Sequence, residues 1–465
     1  MQDVIGPMPG EDSRAAQDAA QPWPAGPPPL SPRRSLQEIS EDRLGFLGRC
    51  AGYGDFVPFQ MGRKTAVYLQ RPDLIETVMV KRADDYSKDY LTDLFHPVLR
   101  KQLLLSESDD WLEQRRLTQP LLHPDRMAGY AETMVRLAER MADAWGPGEA
   151  VEMATAMRRL TLEILAETVF DVEVATEAAE AGDIVDQIMD DFNRRVATRS
   201  PLPVVLPTLG NLRLLRSLRR LDHLLDGIID DRRRRGAPGE DLLSRLVRTP
   251  GDDGHALTNE EVKLTALPLF FAGHETTAMT LTWTLYLLTR YPKVRQRVLD
   301  ELDTVLGGRP ATNADVRNLP QLGNVVHESL RLYPPGWAFG RMAVRDTRVG
   351  PYRVPARTTI FMSPWLLHRD ERLYERPLEF DPERWSDGLA HRLHRCAYIP
   401  FSTGPRRCPG NTFATVESVV VLATICRRWN FTYEGEHEPV LDPSITLRPR
   451  DGLLLRVAGA VDRAA

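Results

Sequence analysis

The sequence has little that would suggest secretion, membrane insertion or nucleic-acid binding. Its only cysteines, Cys50, Cys396, Cys408 and Cys426, are irregularly spaced over 465 residues, which argues against a disulfide framework or a zinc ribbon and favours reduced thiols. No apolar run reaches transmembrane length, and the amino terminus has no hydrophobic signal core. The net charge of -5 gives no reason to expect nucleic acid as a partner. We therefore expect a soluble, cytoplasmic protein without a membrane anchor.

The first 35 residues differ in composition from the rest of the chain. They are polar and proline-rich, with runs such as PAGPPPL, and have too few apolar side chains to form a core. We expect residues 1–35 to be a disordered lead, with the folded part beginning at residue 36. The sequence contains no internal repeat.

Apolar spacing predicts a small β region followed by a largely helical chain. Alternation over residues 56–61 and 65–69 predicts a hairpin. Helical spacing predicts helices over residues 72–81 and 127–170, among others. A proline-broken apolar stretch at residues 200–210 is either a lid over an apolar pocket or a packed crossover, and the sequence does not separate these readings.

The longest predicted helix covers residues 259–290. Thr258 and Glu261 form a capping box at its start, and Pro292 follows its end. At ~1.5 Å per residue the helix is on the order of 50 Å long, enough to cross a domain. Its middle, residues 272–277, reads AGHETT, a poor composition for a buried helix centre. A threonine hydroxyl there can bond a carbonyl of the preceding turn, bend the helix and leave a small polar notch.

The most distinctive segment is FSTGPRRCPG, residues 401–410, which directly precedes another predicted helix. A lone cysteine is most often a small buried hydrophobe. Cys408, however, follows two arginines and lies near the start of a helix, and both positive charge and a helix amino terminus favour an ionised sulfur. We therefore interpret Cys408 as a metal ligand.

Two pairs of side chains stand at helical spacing elsewhere in the chain. Trp111 and Arg115 are four residues apart, and Glu328 and Arg331 are three apart, so the members of each pair share a helix face. Taken alone, each pair is more typical of a surface contact or a modest ion pair.

Together these segments resemble the motifs of the cytochrome P450 superfamily, in its soluble bacterial form. The motifs occur in the family's order over residues 111–410: Trp-x-x-x-Arg, Ala-Gly-x-Glu-Thr-Thr, Glu-x-x-Arg, Phe-x-Pro-x-Arg-Trp and Phe-x-x-Gly-x-Arg-x-Cys-x-Gly. The resemblance implies a mainly α fold with a small β region and a single domain over residues 36–465. It places a haem between the long central helix and the cysteine loop.

The resemblance also implies residue roles. Cys408 would be the axial thiolate ligand of haem b, Thr276 a hydroxyl that relays protons, and Glu275 the acid behind it. Pro409 departs from the aliphatic residue more usual in the family, so we expect altered hydrogen bonding to the sulfur. The other implied cofactor-binding residues are Trp111, Arg115, Ala272, Gly273, Arg341, Phe401, Arg406 and Gly410. The implied structural network behind the haem comprises Glu328, Arg331 and Arg384. The candidate residues of the substrate pocket are Phe95, Leu269, Trp337, Ala338, Phe339 and Thr446.

The implied function is a monooxygenase of secondary metabolism that inserts one oxygen atom from O2 into a hydrophobic small molecule, by hydroxylation or epoxidation. No flavin or iron–sulfur module remains in 465 residues, so electrons would come from a separate ferredoxin or flavodoxin-type donor with its NAD(P)H reductase. Arg116 and Arg407 are candidate contacts for that donor. We expect a monomer.

Two other functions are compatible with the same motifs. Some relatives are driven by peroxide or isomerise oxygenated lipids; they tend to lack the acid–threonine pair, which is intact here as Glu275 and Thr276. The second alternative is a non-catalytic protein that binds haem or another ligand.

Overall fold

The computed structural model of the protein describes residues 21–88, 106–171, 208–237, 241–250 and 255–460, with positions 184, 187, 188, 190, 191, 194, 206 and 239. Over these ranges the fold is mainly helical with a small β region. None of the helices in this part of the chain is long and apolar enough to cross a membrane.

The helices are numbered in chain order. They are α1 (Pro32–Glu41), α2 (Arg43–Ala51), α3 (Pro72–Glu76), α4 (Ser108–Thr118), α5 (Met127–Asp143), α6 (Met153–Val169), α7 (Leu209–Arg234), α8 (Leu242–Arg248), α9 (Asn259–Arg290), α10 (Pro292–Leu306), α11 (Pro320–Leu332), α12 (Pro364–Leu367), α13 (Glu383–Ser386), α14 (Leu389–Arg392) and α15 (Asn411–Arg428). A π-helical turn, Thr77–Lys81, continues α3.

The strands are short, with three to seven residues each. They are β1 (Phe56–Met61), β2 (Lys64–Leu69), β3 (Tyr86–Lys88), β4 (Ala150–Glu152), β5 (Phe339–Ala343), β6 (Thr347–Val349), β7 (Tyr352–Val354), β8 (Thr359–Met362), β9 (Trp429–Tyr433), β10 (Leu441–Pro443), β11 (Leu447–Pro449) and β12 (Leu454–Ala460).

The largest sheet has five strands in the order β1-β2-β8-β5-β3. Strands β2 and β8 are parallel and the other neighbours are antiparallel. A second sheet joins β4, β12 and β9, and β6–β7 and β10–β11 form separate hairpins. The predicted hairpin at residues 56–69 is confirmed, with Phe56 opposite Leu69 and Met61 opposite Lys64.

Helix α9 forms the centre of the helical region. Its predicted capping box is present: the Thr258 amide donates to Glu261 at 2.7 Å, and the Glu261 amide donates to the Thr258 hydroxyl at 3.3 Å. The helix continues for 32 residues, past Pro268 in its interior, and ends before Pro292, since a proline disfavours the helical conformation in the residue before it. It packs against α6, α11 and α15, so most of its surface is buried.

The apolar side chains form a large helical core and two smaller cores around the five-stranded sheet. The loop that carries Cys408 lies where these cores meet. Phe401 packs against the helical core, whereas Gly404 approaches the backbone of Met79, whose side chain belongs to a sheet core. The position of the loop therefore depends on both halves of the fold.

The folded part of the chain begins earlier than residue 36. Helix α1 starts at Pro32, and Trp23 packs edge-on against Phe56 with ring centroids 5.6 Å apart. The Trp23 indole N–H also donates to the Arg353 carbonyl at 2.6 Å. The predicted boundary was therefore wrong for this segment, because partners far along the chain hold a stretch that could not fold alone.

The prediction of one helix over residues 127–170 was also wrong. The segment divides into α5 and α6, because Gly146-Pro147-Gly148 follows α5 and β4 precedes α6. Glu152 then caps α6 by accepting from the Thr155 amide at 2.8 Å. The stretch at residues 200–210 lies largely outside the described residues, so the choice between lid and crossover remains open.

Candidate active site

Helix α9 presents one accessible strip near its middle. Within residues 269–277, partial exposure is confined to Leu269, Ala272, Gly273 and Thr276. Their spacing of three, one and three places them on one helix face. The neighbouring side chains of His274, Glu275 and Thr277 are buried. The strip thus consists of two small residues, one hydroxyl and one leucine.

The hydroxyl of Thr276 donates to the Ala272 carbonyl at 2.8 Å, as expected for a threonine that bonds back into its own helix. Its oxygen keeps lone pairs that can accept a further proton. Helix α6 supports this region, since Thr161 donates to the His274 carbonyl at 2.9 Å. A Cβ at Gly273 would lie 3.2 Å from the Leu165 side chain. Gly273 therefore also allows α6 to pack closely, a reason that the sequence did not reveal.

The Glu275 carboxyl group is buried next to this strip, with 3% of the residue exposed. One oxygen, Oε1, accepts a hydrogen bond from the Thr446 hydroxyl at 2.8 Å. The other oxygen, Oε2, has no hydrogen-bond partner among the described residues. A buried polar atom without a partner is uncommon in native proteins and calls for an explanation such as a catalytic role or a bound water.

The cysteine loop is a tight hairpin held by its own backbone. The Cys408 amide donates to the Phe401 carbonyl at 3.0 Å, and the Arg407 amide donates to the Gly404 carbonyl at 3.1 Å. Gly404 has a φ of 73°, and a Cβ there would lie 1.9 Å from the Met79 carbonyl oxygen. Any side chain at this position would force the loop away from Met79, so the loop requires glycine at residue 404.

Cys408 as a residue is exposed, yet protein atoms surround its thiol closely enough that burial raises the pKa of the thiol. Three groups oppose this shift in the pKa: the Gly410 amide, which donates to the sulfur, and the positive charges of Arg115 and Arg407. Pro409 has no amide hydrogen to offer, so the donor is supplied by the next residue. These groups favour the thiolate, which is the form that binds a metal.

Helix α4 contacts the cysteine loop through the side chains of Trp111 and Arg115. The Arg406 guanidinium lies 4.2 Å from the centroid of the Trp111 ring, and the Arg115 guanidinium lies 5.7 Å from it. Arg115 donates to the Arg407 carbonyl at 2.9 Å. Arg406 donates to the Ser106 carbonyl at 2.8 Å and forms an ion pair with Glu107. The structure thus brings together three predicted cofactor-binding residues from two distant segments.

Arg341 joins the same region by lining a cleft of about 460 Å³ together with Trp111 and Arg406. Arg341 is itself buried and lies on β5. Five further polar residues also line the cleft: Asp84, Tyr86, Ser87, Lys88 and Glu107. The low periodicity of residues 83–110 suggested a pocket wall that includes Tyr86, but it did not single out the polar residues beside it. Only the pairing of β3 with β5 brings Lys88 opposite Arg341.

Glu328 is the centre of a buried network behind the site. Arg331 donates to both of its oxygens at 2.9 and 2.8 Å, and Arg384 donates to Oε1 at 2.9 Å. Glu328 also accepts from the Asp381 amide and the Trp385 indole, each at 2.9 Å. Arg331 continues the network to the carbonyls of His368, Pro377 and Glu379. The two helical neighbours on α11 are therefore a fully buried pair and not a surface ion pair.

The predicted pocket residues have different surroundings. Leu269 lies on the accessible strip of α9. Trp337 and Ala338 are half-buried against one sheet core, and Phe339 against the other. The Thr446 hydroxyl donates its hydrogen bond to Glu275, a contact that the sequence did not suggest. Phe95 lies outside the described residues.

These features fit a haem held by a cysteine thiolate. Cys408 is exposed as a residue and its thiol receives an amide hydrogen bond, as a metal-ligating sulfur requires. The small residues Ala272 and Gly273 leave α9 accessible without a bulky side chain. Arg341 and Arg406 line a cleft in which guanidinium groups could bind the carboxylates of a haem.

Comparison with known proteins gives an independent result. The family described as Cytochrome P450 matches residues 24–456. Cyclooctat-9-en-7-ol 5-monooxygenase from Streptomyces melanosporofaciens is 34% identical over 390 residues, which are 83% of this chain and 84% of the relative. Pentalenene oxygenase from Streptomyces avermitilis is 30% identical over 396 residues, 84% of this chain and 88% of the relative.

Solved structures agree on the fold. A crystal structure of the heme domain of a cytochrome P450DA mutant matches with a TM-score of 0.84 and 24% identity, covering 95% of this chain and 98% of that one. The fold predicted from the sequence, mainly helical with a small β region, is thereby confirmed.

Proposed function

The chain belongs to the cytochrome P450 family and is a haem-thiolate monooxygenase, and from this premise we propose that its substrate is a cyclic terpene hydrocarbon or terpene alcohol. The substrates named for pentalenene oxygenase and cyclooctat-9-en-7-ol 5-monooxygenase support this proposal. The apolar residue Leu269 on the accessible strip of α9 agrees with it. We further propose that the cofactor is haem b.

When bound, the haem supplies the iron that binds and splits dioxygen. Cys408 provides the sulfur ligand, whose electron density the Gly410 amide tunes by hydrogen bonding. Ala272 and Gly273 keep the strip of α9 free of bulk. The cationic side chains of Arg341 and Arg406, which line the cleft, would hold the carboxylates of the haem.

The observation that carries a monooxygenase function is an accessible hydroxyl, Thr276, directly preceded along α9 by a buried acid, Glu275. The Thr276 hydroxyl donates to the Ala272 carbonyl, and its oxygen can still accept a hydrogen bond. Oε2 of Glu275 has no hydrogen-bond partner among the described residues. A hydroxyl and an acid so placed are the groups that a proton relay through bound water requires.

Electrons reach a monooxygenase from a redox partner, and we propose a separate ferredoxin or flavodoxin-type protein for this role. Arg116 and Arg407 are exposed near the cysteine loop and would attract an acidic partner. We also propose a reducing compartment such as the cytoplasm, because Cys50, Cys396, Cys408 and Cys426 are all free thiols.

The experiment is a substrate comparison on the haem-loaded enzyme with a surrogate ferredoxin and reductase. A cyclic terpene, its alcohol and a fatty acid of similar size are titrated while the Soret band is followed. Oxidised product and hydrogen peroxide are then measured per NADPH consumed. We expect a spin-state shift and NADPH-dependent product with a terpene, and neither with the fatty acid. Cys408→Ala serves as the control and should lose the red-shifted Soret band of the reduced, carbon-monoxide-bound form.

Other outcomes separate the alternatives. Product formed with added peroxide but not with NADPH would favour a peroxide-driven enzyme. Oxygen consumption without product from any candidate would favour a ligand-binding protein. A preference for the fatty acid would overturn the terpene assignment while leaving the monooxygenase function intact.

A further inference from the structure

We propose that Thr446 is a positioning residue for Glu275, and that the turn between β10 and β11 sets the orientation of this carboxyl group. The inference rests on the proposed function in that Glu275 is taken as the acid behind Thr276. It assigns a different role to a residue that the sequence suggested as a substrate contact.

The contact itself is well defined. The Thr446 hydroxyl donates to Oε1 of Glu275 at 2.8 Å, and the two residues are 171 positions apart in the chain. Only 4% of Thr446 and 3% of Glu275 are exposed. A hydrogen bond to a carboxylate in such surroundings is stronger than its counterpart in water. Thr446 is thus the one hydrogen-bond donor to the Glu275 side chain among the described residues.

The turn that carries Thr446 is fixed from both sides. The Trp283 indole N–H, on the same helix as Glu275, donates to the Leu447 carbonyl at 2.9 Å. The Trp337 indole N–H donates to the Ser444 carbonyl at 2.9 Å. The Leu447 amide donates to the Pro335 carbonyl at 3.0 Å. Because Trp283 lies about two helical turns beyond Glu275, α9 holds both the acid and the turn that orients it.

In this arrangement the two oxygens of the Glu275 carboxyl group have different hydrogen bonding. Oε1 is held by Thr446, whereas Oε2 has no partner among the described residues and can still accept a hydrogen bond. Without the Thr446 hydroxyl, neither oxygen would have a fixed donor. The carboxyl group could then rotate about its terminal torsion, which is only loosely restrained in glutamate. Thr446 therefore acts on proton transfer through the orientation of Glu275.

The test compares Thr446→Val, which removes the hydroxyl at nearly constant shape, with Thr446→Ser, which keeps it. Three quantities are measured: the infrared band of the Glu275 carboxyl group, identified by its loss in Glu275→Gln; the ratio of peroxide to product; and the Kd of the substrate from the spin-state shift. For Thr446→Val we expect a shifted band, a peroxide-to-product ratio raised about ten-fold and an unchanged Kd. Thr446→Ser should behave as the wild type.

Several results would overturn the proposal. An unchanged band and ratio in Thr446→Val would show that the hydroxyl does not position Glu275. A weaker Kd with an unchanged ratio would make Thr446 a substrate contact. In a Glu275→Gln background, a further rise in peroxide on adding Thr446→Val would show that Thr446 acts elsewhere. Thr446→Ala replaces the valine variant if that protein does not fold.

The infrared measurement needs no substrate, so it distinguishes this proposal from the proposed function. A band that shifts in an enzyme that oxidises no terpene would support the positioning role and remove the terpene assignment. A band that stays in place in an active terpene oxygenase would remove the positioning role and support the terpene assignment.

Discussion

Two buried glutamates, Glu328 and Glu275, have almost the same exposure but very different surroundings. Glu328 is fully buried and Glu275 is 3% exposed. Glu328 accepts hydrogen bonds from Arg331, Arg384, Trp385 and the Asp381 amide. Glu275 accepts one hydrogen bond, from Thr446, and its second oxygen has no partner among the described residues.

The difference indicates which carboxylate is built for structure and which for chemistry. A buried charge with a complete set of donors is held in one geometry, and it fixes the segments that supply those donors. A buried carboxylate with an unpartnered oxygen can still accept a further hydrogen bond. Buried groups of the second kind are rare unless they have a function. Burial alone therefore does not identify a catalytic acid, and an unpartnered oxygen on a residue next to an accessible hydroxyl, as in Glu275 beside Thr276, is more informative.

The largest effect is expected for Glu328→Gln. The substitution leaves the fully buried Arg331 guanidinium without its charge partner, which costs about 3–5 kcal/mol in comparable buried pairs. We expect loss of haem incorporation and a strongly lowered midpoint of thermal unfolding. The exposed pair of Glu434 with Arg456 provides the control.

Glu434→Gln removes one charge from an equally well-formed ion pair at the surface, so it should leave the midpoint unchanged. Equal midpoints for the two variants would contradict the structural role of Glu328 and weaken the comparison between the two glutamates.

The second prediction concerns Glu275→Gln, for which we expect a large loss of product formation and little loss of stability. The side chain keeps its shape and can still accept from Thr446, so the unfolding midpoint should stay close to that of the wild type. Loss of the proton-delivering group should lower product formation on the order of 100-fold. The electrons supplied by NADPH would then be released as hydrogen peroxide instead of being used to form product.

The measurement is product and peroxide per NADPH, together with the unfolding midpoint. A variant that unfolds as readily as Glu328→Gln, or one that retains full coupling, would contradict the distinction between the two sites.

Local patterns allowed much of the fold to be predicted from the sequence. The capping box of Thr258 and Glu261 and the proline at residue 292 define α9 without reference to any other segment. The Glu328–Arg331 pair is equally local, since three residues on one helix separate its members. Its complete burial was not predictable from the sequence alone, because the enclosing donors come from residues 381–385.

The parts of the site that escaped prediction depend on long-range contacts. Thr446 meets Glu275 across 171 positions, and no periodicity links the β10–β11 turn to the middle of α9. Gly404 is required by the backbone of Met79, which the motif around Cys408 does not indicate. Resemblance to a family predicts the reacting residues, whereas the supporting contacts followed only from the packing of the chain.

A third buried glutamate, Glu417 on α15, extends the comparison. It is 1% exposed, and neither of its oxygens has a hydrogen-bond partner among the described residues. Burial raises the pKa of Glu417 well above its ordinary value, and the nearby Thr277 hydroxyl opposes this only in part. A single acid within the apolar run of α15 is the sequence signal for this residue. We infer that Glu417 is a neutral acid in the folded protein.

At low pH the smallest effect is expected for Glu417→Gln, and this effect should grow as the pH rises. Above pH ~4.5, the unfolded chain releases the Glu417 proton while the folded chain keeps it. The folded state then holds more protons, so stability falls as pH rises toward the folded-state pKa of Glu417, by at most about 1.4 kcal/mol per pH unit. Glutamine has no proton to release, so Glu417→Gln should match the wild type near pH 4.5 and be more stable at pH 8. Urea unfolding midpoints measured across this range test the prediction, with Glu434→Gln as the exposed control. A variant that is destabilised equally at both ends of the range would mean that Glu417 is ionised and paired, as Glu328 is.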